Sequence, residues 1–128
     1  MFKSEKDKLP ERFSCHFEDP LCFKKIEKAI CTYLREVDGD RELIYLCIGT
    51  DRATGDCLGP LVGSRLKSLS PQCRVYGTLE KPVHATNLKE TLEDIYRDYS
   101  DPFIIAVDAC LGSADRIGYI NVRKGSLK

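Results

Sequence analysis

Two short runs of unbroken apolar residues constrain this chain more than anything else in it. LIYLCI, at 43–48, stops at Gly49, and FIIAV, at 103–107, stops at Asp108. A strand with one covered face alternates apolar and polar residues, whereas a continuous run needs cover on both faces, as central strands of a parallel sheet have. The intervening segments have helical spacing. Residues 58–69 form one predicted helix, and 87–99 form a second, amphipathic one carrying Leu88, Leu92, Ile95, Tyr96 and Tyr99. A weaker strand is predicted over 73–78 and a last strand over 116–122. Upstream, Ile26, Ala29, Ile30, Tyr33, Leu34 and Val37 recur at threes and fours, which predicts a helix bounded by Pro20 and Gly39. Its other face carries Lys24, Lys25, Lys28 and Arg35, read as a solvated surface because no aromatic stacking platform accompanies them.

The order α-β-α-β-α-β-β implies a three-layer α/β/α domain with a mostly parallel central sheet. Right-handed crossovers make 2-1-3 the natural order for the first three strands, with connecting helices on opposite faces. A crevice then opens at the carboxyl ends of strands one and three. Residues 1–19, charged and punctuated by Pro10, are expected to be a flexible arm, and 20–128 a single domain.

Composition removes several alternatives. Lys plus Arg and Asp plus Glu number 20 each, so no overall field draws the chain to nucleic acid or an anionic membrane. No apolar run is long enough to span a bilayer, and the opening MFKSEKDKLPER has no secretory signal core. The seven cysteines are scattered without a CxxC, which argues against a disulfide framework or zinc ribbon. Cys15, His16 and Cys22 fit no common metal spacing. The expectation is a soluble cytoplasmic protein without metal or cofactor.

The loop GTDRATGDCLGP, at 49–60, is the richest segment. Its glycines follow G-x5-G-x3-G, which is not a dinucleotide fingerprint, and no Lys-Ser/Thr follows the last, so it is not a Walker A loop. A phosphate cradle remains a minor reading. Asp56 precedes the helix near Cys57 and Pro60 and reads as an N-cap at the mouth of the crevice, its ionised form favoured by the helix terminus. Thr50, Asp51 and Gly55 are secondary candidates in the same loop. Gly59 and Gly63 lie one helical turn apart and suit close helix–sheet packing.

Asp108 ends an otherwise apolar strand. It either caps the turn into 110–112 or faces Asp56 across the crevice. In the second case Asp56 stays ionised while Asp108 is pushed upward, giving a base and an acid toward water attacking an amide. His84 approaches the same edge, as a third catalytic group, a metal ligand, or simply a surface or capping residue. Cys57 at a helix start is a conceivable nucleophile, but nothing in the spacing pairs it with His84.

The segments CIGTDRATGDCLGPLVG, VYGTLEKPVHATNL and IAVDACLG, followed by RIGYINVRKGSL, closely resemble the YyaC-type sporulation proteins of endospore-forming bacteria. These are similar to the spore germination protease and, more distantly, to the hydrogenase maturation proteases. The resemblance runs from about residue 20 to the end. It implies an α/β fold of the phosphorylase/hydrolase kind, a cytoplasmic place in the sporulating cell or spore, and peptidase activity on a peptide or small spore protein. In the germination protease the D-x-L-G-P loop and the strand-end D-A each supply a catalytic aspartate, positions held here by Asp56 and Asp108. In the hydrogenase maturation proteases the position of Asp56 is a metal ligand. Their second ligand position falls near Val75 and Tyr76, and their third, a histidine, has no counterpart before Lys128; His84 does not inherit it. Relatives continue past the G-S-L motif, which implies C-terminal elements beyond Lys128. A non-catalytic sporulation factor that binds a peptide or protein partner in the same crevice is the alternative.

Overall fold

The central strand is built as its composition demands. In the computed structural model, which describes residues 12–36, 39–110 and 114–125, β2 (Leu43–Cys47) lies between two parallel neighbours. They are β3 (Arg74–Tyr76) and β4 (Phe103–Val107). The register pairs Leu46 with Tyr76 on one side and with Ala106 on the other. The order β3-β2-β4 is the expected 2-1-3 arrangement.

Successive side chains of a strand point to opposite faces. Ile44 and Leu46, both fully buried, pack with Val83 and Ile95, and Leu88 and Leu92 join them. Leu88, Leu92 and Ile95 come from α3 (Leu88–Asp98), whose i, i+4, i+7 spacing sets them on one stripe. Tyr96, expected among that stripe, instead faces solvent. The other face of β2 meets α2 (Leu58–Leu69), where a Cβ on Gly63 would stand 3.3 Å from the Cys47 Cβ. Gly59 is equally constrained, since a side chain there would strike the Ile48 backbone. The G-x3-G pair is therefore a packing device, as its spacing suggested.

These elements form one compact unit, Gly39–Leu111; the second comprises Met1–Asp38 and Gly112–Lys128. In the second unit β1 (Arg12–His16) pairs antiparallel with β5 (Tyr119–Arg123), and α1 (Cys22–Leu34) packs on β1. One expectation is corrected here. Residues 12–16, read as part of a flexible arm, are a strand; residues 1–11 lie outside the described residues. The last strand, expected over 116–122 with no partner assigned, runs over Tyr119–Arg123 and pairs with β1. Its alternating composition explains this: Phe13 with Val122 and Cys15 with Ile120 share one face, while Ser14 with Asn121 and His16 with Tyr119 share the other. Such alternation suits a ribbon with one covered face. Val37, expected to close the first helix's stripe, lies outside the described residues.

Candidate functional site

The carboxyl edge of the sheet is stitched together just past the strands. The Ile48 N–H donates to the Val107 carbonyl (2.8 Å), and the Gly49 N–H donates to the Val83 carbonyl (2.7 Å). The chain then turns back on itself. The Thr50 N–H donates to the Asp56 carbonyl (2.9 Å), closing the loop, and Thr54–Asp56 form a 3-10 turn. Gly49 has φ +151, and a Cβ there would collide with the Asp56 carbonyl oxygen and crowd Pro60. A backbone approach this close requires glycine.

This geometry corrects one local expectation. Asp56 is not the N-cap of α2; that position belongs to Cys57, and its side chain makes no capping bond. The 3-10 turn inserts one step between the acid and the helix. Asp56 is half-buried, and its backbone carbonyl, rather than its carboxylate, closes the loop.

Asp108 follows β4 directly. Although the residue is exposed at the strand's end, partial desolvation raises its carboxyl above the usual carboxylate range, and the charge of Asp56 raises it further. A hydrogen bond from the Ala109 N–H opposes both. Strand order thus brings the two acids into electrostatic range of each other.

The secondary candidates separate. Thr50, Asp51 and His84 line one cleft of about 400 Å³ together with Arg52, Pro82 and Thr86. His84 Nδ1 is 2.6 Å from the Thr86 hydroxyl. Asn87 holds the segment, its Oδ1 accepting the His84 N–H (2.8 Å) and its Nδ2 donating to the Pro82 carbonyl (3.1 Å). Gly55 is exposed, with open space where a Cβ would stand, so no close approach demands glycine there. Among the described residues no three His, Cys, Asp or Glu side chains converge as a metal site.

Arg52, Thr86 and Asn87 were not singled out from the sequence. Asn87 carried the clearest signal, an Asn directly before an apolar helical stripe, where its amide can bond back to preceding backbone. Asn87→Ala removes both bonds and is expected to cost about 1 kcal/mol. A urea titration would measure this, and the His84 ring NMR signals should move with it.

A protein-family model described as "Protein of unknown function (DUF1256)" matches residues 14–128. The chain is also similar to "Uncharacterized protein YyaC" of Bacillus subtilis (strain 168), 45% identical over 111 residues. That alignment covers 86% of this chain and 54% of the relative, so the chain spans about half the relative's length. No solved structure matches the chain.

Proposed function

This chain belongs to the DUF1256 family, and from that premise we propose that it is an aspartate-dependent peptidase with Asp56 and Asp108 as its acid–base pair. The observation that carries the reading is that Asp108, directly after β4, is raised first by desolvation and then by the charge of Asp56 in the 3-10 turn that follows β2. In this reading ionised Asp56 takes a proton from water attacking an amide carbonyl. Asp108, in the fraction of molecules where its raised proton affinity keeps the carboxyl protonated, donates to the departing amine, the unequal division of roles that a carboxyl pair in unlike surroundings permits. The three-layer arrangement belongs to the same proposal and is supported by the contacts of α2 and α3 with opposite faces of β2. The resemblance of the segments holding both acids to the spore germination protease supports a substrate among small spore proteins, in the cytoplasm of the sporulating cell. No helix among the described residues is long and apolar enough to cross a membrane.

The neighbouring cleft favours a second reading, in which the same edge binds a peptide or protein partner without cleaving it. Thr50, Asp51, Arg52, His84 and Thr86 offer donors and acceptors of both charge signs around a space of about 400 Å³. Incubating a spore protein extract with the 128-residue chain and with its Asp56→Asn variant separates the two. The peptidase reading expects new amino termini with the parent and none with the variant. Retention of an extract protein by both forms, with no fragments from either, would establish the binding reading instead.

A further inference from the structure

We propose that Cys15 and Cys22 are a reversible dithiol–disulfide site, convertible by exchange with a small disulfide such as oxidised glutathione. Their sulfurs lie 3.0 Å apart, and both residues are buried, at 6% and 2% exposure. The turn between β1 and α1 brings them together. The Asp19 N–H donates to the His16 carbonyl and the Cys22 N–H donates to the Asp19 carbonyl. The Asp19 carboxylate accepts the Leu21 N–H (2.9 Å) and pairs with Lys25 (2.6 Å). A disulfide needs a sulfur separation of about 2.05 Å, which leaves roughly 1 Å to close. Cys47 is also buried, but no bond to a second sulfur is seen for it among the described residues.

Nearby chemistry favours sulfur exchange over metal binding. No group of three metal-ligating side chains forms among the described residues, and His16 Nδ1 already accepts the Glu18 N–H at 3.1 Å. The bond to Cys22 and then burial push the Cys15 thiol up to about 11, so reduced Cys15 rests as a thiol. In the exchange a thiolate of the pair attacks one sulfur of oxidised glutathione and releases one glutathione thiolate. The second cysteine gives its proton to solvent, attacks the protein sulfur of the mixed disulfide and expels the other glutathione. The protein loses two electrons and two hydrogens, and glutathione gains them. The product ties the end of β1 to the first turn of α1.

The test uses the whole chain, incubated with oxidised glutathione and then unfolded in iodoacetamide. Trypsin together with cleavage after Glu18 places the two cysteines on separate fragments, residues 13–18 and 19–24. The expected result is that these fragments stay joined until dithiothreitol is added, at a mass about 2 Da below the reduced pair. Separate fragments, alkylated or each carrying glutathione, would overturn the proposal. Cys22→Ala, or Cys15→Ser if that folds better, should leave the remaining cysteine as a single adduct or unreacted.

Discussion

If the proposed peptidase reading holds, Asp108→Asn should lower peptide turnover by about two to four orders of magnitude, the range in which positioned proton transfer contributes. The amide cannot donate a proton to the leaving amine, yet it matches the carboxyl in shape and keeps an oxygen for the Ala109 N–H. Stability should move the other way. A carboxyl raised in the folded chain binds its proton more tightly there than in the unfolded chain. Between the ordinary value of 3.8 and the raised one, folding stability therefore falls as pH rises, and above that window ionised Asp108 opposes folding. Asparagine stays uncharged throughout. The variant should be at least as stable as the parent near pH 7, and the difference should shrink at acid pH. Urea midpoints at the two pH values read this directly. A capping residue would behave otherwise, leaving turnover unchanged, since asparagine caps a turn as well as aspartate does. Asp56→Asn should shift the Asp108 titration downward, followed by carboxyl carbon NMR; an unmoved titration would dissolve the pair.

Gly77→Ala is expected to cost about 3 kcal/mol or more, the second large effect. Gly77 has φ +98, a left-handed conformation costing an ordinary residue roughly 1–2 kcal/mol. Its added Cβ would also strike the Cys47 carbonyl in β2. Overpacking of that kind adds about 1–3 kcal/mol. The backbone cannot retreat easily, because the Gly77 carbonyl lies directly against Gly63 of α2. Against a total stability of roughly 5–15 kcal/mol, such a loss should lower the urea midpoint sharply. Gly55→Ala is the matched control, with nothing within 4 Å of the new methyl group and an expected change within about 0.5 kcal/mol. Equal stability of Gly77→Ala and the parent would contradict the packing described here.

The central sheet was legible because its signal is local. Unbroken apolar runs at 43–48 and 103–107 need cover on both faces, and helical stripes between them supply it. The same holds for Gly59 and Gly63, whose spacing alone spoke of a helix pressed to a strand. Asp108 could be named as a strand-end acid for the same reason, since it follows a run that must finish at the sheet's edge, and Asp56 as the acid of the loop that leaves that edge.

Other features depended on partners far away along the chain. The union of β1 with β5 is fixed by contacts such as that between Ser14 and Asn121, 107 positions apart, and alternation in a five-residue segment does not say which strand it will meet. The step from Asp56 to the true N-cap at Cys57 turns on a single 3-10 turn, a difference smaller than periodicity resolves. The nearness of Cys15 to Cys22 follows from how one turn folds back. Sequence by itself thus determined which segments must be buried and where they end, since hydrophobic burial is written into neighbouring residues. Tertiary structure alone decided which ends meet and which charges feel one another, because those energies depend on distances through space that chain order does not set.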